Sequence, residues 1–154
     1  MVKVFILYDS KYGNTKLVAE KIAEGLKIKE ATVNAGYVRE VGLDEAICSD
    51  LIVLGAPNHM GRPSRTMKRF IDYLATADLK ATKVAVFGTY AGRARPIDRA
   101  VKKLESMVQA RLPNLKLVLP GLSVRVNGMK GPDIDGELPR CVEFGSAIAA
   151  QLSP

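Results

Sequence analysis

The chain has 154 residues, of which 47% are hydrophobic and 25% charged, and its net charge is +7. This length and composition are typical of one globular domain, so we expect a single domain over residues 1–154. No run of about 18 apolar residues is present and the apolar start, residues 2–7, is too short for a signal peptide, which argues against membrane insertion and secretion. Cys48 and Cys141 lie far apart without metal-binding spacing, so we expect no disulfide scaffold, no metal site and a cytoplasmic location.

The excess of basic residues bears on the kind of binding partner. The chain has 23 lysines and arginines against 16 acidic residues, but the two signs are mixed and no run of Lys or Arg reaches five. With only nine aromatic residues in the chain, this pattern argues against nucleic-acid binding. We expect an acidic protein partner, and the alternative is surface charge that serves solubility alone.

Apolar, β-branched runs alternate with helical patterns along the chain, which predicts a parallel α/β sheet. The first predicted elements are a strand at Val2–Tyr8, a helix at Asn14–Leu26, a strand at 32–40, a short helix at 43–48 and a strand at 50–55. They are followed by a helix at 64–77, a strand at 83–89 and a helix at 96–112. The last predicted elements are a strand at 115–126 that can break at Pro120-Gly121, a loop at 127–136 and a helix at 139–152.

These elements predict a three-layer, doubly wound α/β fold with a five-stranded parallel sheet. Right-handed crossovers are expected because nearly all such connections are right-handed. Ligands of open α/β sheets bind outside the carboxyl ends of the strands, where the strand order reverses. The loops after strands one, three and four are therefore the candidate site.

The loop after strand one has the groups that suit a terminal phosphate. Ser10 and Thr15 offer hydroxyls, Asn14 offers an amide, and Gly13 lets the backbone approach a ligand closely. The loop opens a helix, whose first N–H groups and partial positive charge attract anions. A plain helix cap at Asn14 or Thr15 is the alternative, but the position directly after the N-terminal strand favours a phosphate site.

The run Tyr8-Asp9-Ser10-Lys11-Tyr12-Gly13-Asn14-Thr15 resembles the FMN phosphate loop of the flavodoxin family, in the form found in the flavodoxin domains of A-type flavoproteins. The resemblance implies that the fold is flavodoxin-like, with strand order 2-1-3-4-5, and that FMN is the cofactor. It also implies that the phosphate is surrounded by Ser10, Lys11, Tyr12, Gly13, Asn14 and Thr15. Tyr12 stands where many flavodoxins have threonine, so one hydroxyl near the phosphate is lost. The compact fifth strand is similar to the family's short form.

The loop after strand three resembles the family loop that frames the isoalloxazine ring of FMN. The resemblance implies ring contacts from Pro57, Asn58, His59, Met60 and Gly61. Flavodoxins often have a tryptophan here and this chain has none, so we expect a less enclosed ring or one covered by Met60. His59 is the only histidine; one histidine cannot hold a metal, and we assign no catalytic residue.

The loop after strand four resembles the second ring-framing loop of the family. The resemblance implies flavin contacts from Thr89, Tyr90, Ala91 and Gly92. Tyr90 is expected to stack on the ring with its hydroxyl in water, and the alternative is a packing residue that ends the strand.

Four arginines follow the same two strands. Arg62 and Arg65 come after strand three, and Arg93 and Arg95 come after strand four. We expect them to surround the cofactor, to favour the anionic reduced flavin and to attract an acidic redox partner.

Missing motifs exclude other classes of nucleotide- or phosphate-binding protein. A phosphorelay receiver needs a carboxylate at the end of strand three, where this chain has Leu54-Gly55-Ala56-Pro57. The dinucleotide motif G-x-G-x-x-G is absent after strand one, and G-x-x-x-x-G-K-[ST] is absent throughout.

We therefore expect an electron carrier that binds FMN and shuttles low-potential electrons between redox proteins, as a monomer or weak homo-oligomer. Two alternatives remain open. The first is an FMN-dependent NAD(P)H:quinone oxidoreductase, and the second is a flavin-free interaction module on the same scaffold.

Overall fold

The computed structural model of the chain describes residues 2–10, 13–27, 31–58, 62–91, 98–126 and 135–152. The elements within these ranges are β1 (Val2–Tyr8), α1 (Asn14–Leu26), β2 (Ala31–Tyr37), α2 (Leu43–Ile47), β3 (Leu51–Pro57), α3 (Arg65–Ala75), β4 (Lys83–Ala91), α4 (Arg99–Arg111), β5 (Lys116–Leu117), β6 (Leu122–Val126), a 3-10 turn (Asp135–Glu137) and α5 (Leu138–Ala150). None of the helices in these ranges is long and apolar enough to cross a membrane.

The strands form one parallel sheet in the order β2-β1-β3-β4, and β5 and β6 both pair with β4. β5 and β6 are two pieces of the predicted fifth strand, so the predicted order 2-1-3-4-5 is confirmed. Val84 pairs with Leu117 and Phe87 pairs with Leu122. Four residues, 118–121, therefore lie opposite two residues of β4. The break falls at Pro120, which has no N–H to donate to a sheet ladder.

The sheet separates two helical layers, because alternate strand residues point to opposite faces. Val4 and Ile6 of β1 pack against α1 and α5, whereas Phe5 and Leu7 pack against α2, α3 and α4. The helices cover both faces, so the central strands are almost continuously buried and apolar, as is usual in parallel sheets. The three-layer prediction is confirmed.

The predicted end of strand two, residue 40, is wrong. β2 ends at Tyr37, and residues 38–40 form a turn. The N–H groups of Glu40 and Val41 both donate to the carbonyl of Tyr37, at 2.9 and 3.0 Å. These local bonds outweigh the β-propensity of Val38, whose N–H donates to the Tyr8 carbonyl at 2.9 Å before the chain turns away.

The strands on either side of the candidate site extend further than predicted. β3 runs to Pro57 instead of residue 55, and β4 runs to Ala91 instead of residue 89. The pairing of Pro57 with Thr89 continues the ladder beyond the apolar run that predicted these strands. Both candidate loops therefore begin two residues later in the chain than predicted.

Several helix ends differ from the prediction by one to three residues, as is common at frayed ends. Ser64 precedes α3 as its N-cap, where its Oγ accepts the N–H of Met67 at 3.2 Å. Thr76 ends the same helix, short of the predicted residue 77. In the described part of the chain, α4 begins at Arg99, and the predicted loop before α5 contains a 3-10 turn at Asp135–Glu137.

Candidate functional site

The carboxyl ends of β1, β3 and β4 lie side by side at one edge of the sheet. The N–H of Asp9 donates to the carbonyl of Gly55 at 3.0 Å, which joins the first loop to the third strand. The N–H of Asn58 donates to the carbonyl of Thr89 at 2.8 Å, which joins the second loop to the third. The three predicted loops therefore start from one hydrogen-bonded platform.

A pair of buried hydroxyls links the first and third loops. Thr15 Oγ1 and Thr89 Oγ1 lie 3.1 Å apart, and either hydroxyl can be the donor. Both residues are almost inaccessible, with 2% and 4% of their surface exposed. A polar pair this deep at the end of a parallel strand fixes the start of α1 relative to β4.

Gly13 holds the first loop in a conformation that other residues resist. Its φ is +91°, and it is the N-cap of α1. The N–H of Gly13 donates to Ser10 Oγ at 3.1 Å. A Cβ at Gly13 would meet no described atom within 4 Å, so the backbone angle, rather than crowding within the protein, calls for glycine.

The alternative interpretation of the first loop, a plain helix cap at Asn14 or Thr15, is wrong. Both residues lie inside α1 and are buried, and no side chain caps the helix within the described residues. The first N–H groups of an α-helix have no intrahelical partner. This helix start is therefore suited to an anion, and its polar side chains are turned into the structure.

The other predicted site residues are only partly described. Pro57, Asn58 and Tyr90 are half-buried, and Ala91 is the last residue of β4. Lys11, Tyr12, His59, Met60, Gly61, Gly92, Arg93 and Arg95 lie outside the described residues.

Two aromatic residues close the β2 side of this edge, and sequence analysis did not predict their contact. The rings of Tyr8 and Tyr37 stack with centroids 6.0 Å apart and planes inclined by 14°. Burial, followed by the negative charges of Glu20 and Glu40, raises the pKa of Tyr8. Its phenol therefore stays protonated near neutral pH.

Sequence analysis also missed an open cleft of about 540 Å³ at the same edge. Its described lining residues are Asp9, Arg39, Arg62, Pro63, Ser64, Arg65 and Thr66. Arg39 Nη2 donates to Thr66 Oγ1 at 2.8 Å, and Arg39 Nε lies 3.9 Å from Oδ1 of the buried Asp9. Arg39 follows β2, the neighbour of β1, so applying the carboxyl-end rule to strand two could have found this cleft.

Positive charges crowd together between the cleft and α4. Partial desolvation, followed by the nearby charges of Arg99 and Arg62, lowers the pKa of Lys103. Arg62 and Arg65 form no ion pair with any carboxylate in the described ranges. Within the same ranges, no group of three or more His, Cys, Asp or Glu residues could hold a metal ion.

The strand order and the position of the three loops define a class of protein. An open parallel sheet in this order, with its candidate site where the order reverses between β1 and β3, is the flavodoxin-like arrangement. In that arrangement the FMN lies at this reversal point.

Comparisons with known proteins agree with this class. The family model described as Flavodoxin matches residues 6–124. A flavodoxin of Maridesulfovibrio salexigens is 31% identical, over 99% of this chain and 100% of that protein. A flavodoxin of Aquifex aeolicus is 41% identical over 73 residues, which cover 47% of this chain and only 40% of that protein. The solved structure of a flavodoxin from the domain Archaea superimposes with a TM-score of 0.82 at 24% identity, covering 97% of this chain and 98% of that one.

This chain belongs to the flavodoxin family. Members of the family bind FMN, and the chain is an FMN-binding electron-transfer protein. The predicted family, fold and cofactor are confirmed.

Proposed function

We propose that the chain works as a single-domain carrier that shuttles low-potential electrons between redox proteins, with one FMN held at the carboxyl ends of β1, β3 and β4. The observation that carries this proposal is the meeting of the loops at Thr89. Its hydroxyl lies 3.1 Å from Thr15 Oγ1, and its carbonyl accepts the N–H of Asn58 at 2.8 Å. In open α/β sheets, ligands bind at this position.

The first loop is proposed to hold the FMN phosphate. The start of α1 presents N–H groups and the positive end of the helix dipole, both of which favour an anion. The positive φ of Gly13 turns the backbone into this position, and the buried Thr15 hydroxyl lies beside it. The residues proposed to surround the phosphate are Ser10, Lys11, Tyr12, Gly13, Asn14 and Thr15.

The second and third loops are proposed to enclose the isoalloxazine ring. Tyr90 is half-buried at the end of β4, so its ring can stack on the flavin while its hydroxyl stays in water. The hydrogen bond from Asn58 to Thr89 keeps the two loops at a fixed separation. The residues proposed to contact the ring are Pro57, Asn58, His59, Met60, Gly61, Thr89, Tyr90, Ala91 and Gly92.

FMN supplies the redox chemistry when it is bound, and the protein supplies binding, orientation and electrostatics. The buried Thr15–Thr89 pair orients the phosphate loop relative to the ring loops. A carrier needs no side chain that transfers a proton to a substrate, so we assign no catalytic residue. A site built from hydroxyls, amides and glycines fits a protein that binds and orients FMN without taking part in proton transfer.

The redox partners are proposed to be acidic. The exposed basic residues in the first halves of α3 and α4 are Arg65, Lys68, Arg69, Arg99 and Lys102. They lie in the layer that begins at the β3 and β4 loops, so a partner attracted to them would approach the flavin. Electrostatic attraction of this kind raises the association rate and weakens as salt rises.

We propose a cytoplasmic location and a monomer or weak homo-oligomer. Both cysteines are free, and the Cys48 side chain is exposed, which fits a reducing compartment. Among the described residues, Tyr73 is the only exposed large hydrophobic side chain, so no apolar patch favours a stable dimer. Analytical ultracentrifugation at several protein concentrations tests the proposed oligomeric state.

Anaerobic reduction of the purified protein, followed by flavin absorbance, tests the carrier proposal. We expect negligible bleaching by NADH or NADPH alone, and rapid bleaching by a reduced low-potential redox protein. Fast bleaching by NAD(P)H, followed by reoxidation by a quinone, would contradict the carrier proposal and indicate an NAD(P)H:quinone oxidoreductase. A colourless protein that does not take up added FMN would indicate a flavin-free interaction module.

A further inference from the structure

We propose that the cleft between β1, the turn after β2 and the start of α3 is a second oxyanion site, which binds a phosphate dianion or a phosphomonoester. We call it the Arg39–Arg65 cleft and define it by the seven lining residues given above. None of the seven is a residue proposed to contact FMN. Its lining residues follow β1, β2 and β3 and none follows β4, whereas the proposed ring site lies between β3 and β4.

The charge of the cleft matches a dianion. Three arginines and one aspartate line it, which leaves two positive charges. Asp9 is 6% exposed, and its nearest cation is Arg39 at 3.9 Å. Asp9 therefore balances Arg39, and the charges of Arg62 and Arg65 remain for a ligand. A phosphomonoester carries about −1.5 to −2 at pH 7 and accepts hydrogen bonds on three oxygens.

The donors in the cleft suit phosphate geometry. Guanidinium groups present paired N–H donors that match phosphate oxygens, and the resulting charge-assisted bonds are about twice as strong as neutral ones. Arg39 is already oriented, because its Nη2 donates to Thr66 Oγ1. An oriented arginine loses less conformational entropy when a ligand binds.

The hydroxyls of the cleft can also donate to an oxyanion. Ser64 Oγ accepts the N–H of Met67, and Thr66 Oγ1 accepts from Arg39, so each hydroxyl proton is left to donate elsewhere. The backbone N–H groups of Arg65 and Thr66 open α3 beside them and have no intrahelical partner, whereas the N–H of Met67 is taken up by Ser64. All these groups add donors to a site whose net charge comes from the arginines.

The test is calorimetric titration of the FMN-loaded protein with inorganic phosphate at low ionic strength, since bound FMN occupies the first loop. Arg65→Gln removes one charge-assisted partner, and we expect it to weaken phosphate binding about tenfold. Arg69→Gln is the matched control, because it removes another exposed arginine one turn further along α3, outside the lining residues. We expect this control to change the affinity less than about twofold.

A second arm distinguishes the source of the phosphate group by comparing NADP⁺ with NAD⁺, which differ by one phosphomonoester. If a dinucleotide supplies the group, NADP⁺ binds more tightly than NAD⁺ and Arg65→Gln removes the difference. If the two bind equally while inorganic phosphate still depends on Arg65, the source is free phosphate or another ester. Both outcomes support the site.

Equal losses in Arg65→Gln and Arg69→Gln would show only general attraction to a basic protein and would overturn the proposal. The absence of measurable phosphate binding to the parent protein would also overturn it. The flavin content is read independently from absorbance. A protein without FMN that still binds phosphate through Arg65 would contradict the proposed function and leave this site standing.

Discussion

The two helical layers of this protein are built differently. On one face of the sheet, α1 and α5 cross closely and carry three basic and three acidic residues. On the other face, α3 and α4 carry seven basic and two acidic residues, and the Arg39–Arg65 cleft lies at the start of α3. Close packing is the main feature of the first layer, whereas the second layer presents positive charge at the edge of the sheet where the FMN site is proposed.

Two glycines allow the close crossing of α1 and α5. A Cβ on Gly25 would lie 2.0 Å from the carbonyl oxygen of Val142, and a Cβ on Gly145 would lie 2.1 Å from that of Ile22. These neighbours are backbone atoms, so they cannot move aside by changing a rotamer. Any side chain at either glycine has to push the two helices apart.

The largest expected effect is on stability in the packed layer. Gly25→Ala gains about 1 kcal/mol of helix propensity, but overpacking against fixed backbone costs about 1–3 kcal/mol or more. A Cβ only 2.0 Å from a backbone oxygen places the cost at the upper end of this range, so we expect a net loss of about 2 kcal/mol in the free energy of unfolding, measured by urea denaturation. Gly42→Ala is the control, because a Cβ there meets no described atom within 4 Å. A Gly25→Ala variant as stable as the control would contradict the close crossing.

The next effect concerns Gly13, where the packed layer meets the proposed phosphate site. Gly13→Val forces a β-branched residue to φ +91° or rearranges the loop, at a cost of about 1–3 kcal/mol. We expect FMN affinity to fall about tenfold or more in fluorescence titration of the apoprotein. Gly42→Val is the matched control, since Gly42 also caps a helix but has an ordinary φ of −81°. Unchanged FMN affinity in Gly13→Val would argue against the phosphate assignment.

The smallest effect is electrostatic and belongs to the charged layer. The variant Arg62→Gln, Arg65→Gln, Arg93→Gln, Arg95→Gln removes charges expected to stabilise the anionic reduced flavin. A unit charge roughly 8 Å away contributes on the order of 1–2 kcal/mol before salt screening. We expect the potential for full reduction of the flavin to become more negative by tens of millivolts, since screening leaves a fraction of that energy. Its reduction by an acidic partner should also depend less on salt.

The control for this variant removes the same charge far from the cofactor edge, by changing Lys3, Lys21, Lys27 and Lys116 to Gln. These side chains lie along α1 and at the amino end of the sheet. Equal potential shifts in both variants would mean that net charge, rather than the placement of the arginines, sets the potential.

The sequence predicts the fold well because buried parallel strands are continuous apolar runs. Residues 51–56 and 84–88 could be identified as strands from their apolar composition alone. The positions of the loops then followed from the positions of the strands and helices. The turn at residues 38–40 was missed because local bonds to the Tyr37 carbonyl stop a strand that Val38 would continue. Strand propensity contains no information about such bonds.

The candidate site was predictable only where its residues follow a strand directly. Thr15 and Thr89 were both predicted as site residues, but their contact joins positions 74 residues apart and depends on strand order and register. The Arg39–Arg65 cleft was missed for the same reason. Its members come from three separate segments, and no spacing in the sequence relates Arg39 to Thr66.

The most direct test of the whole account is the identity and amount of flavin released from the purified protein. The protein is loaded with excess FMN and FAD in separate samples, freed of unbound flavin and denatured, and the released flavin is identified by chromatography. We predict one FMN per chain and retention of FMN over FAD, because the first loop is proposed to hold a single terminal phosphate beside Gly13. Stoichiometric FAD, or no retained flavin at all, would contradict the site at the ends of β1, β3 and β4.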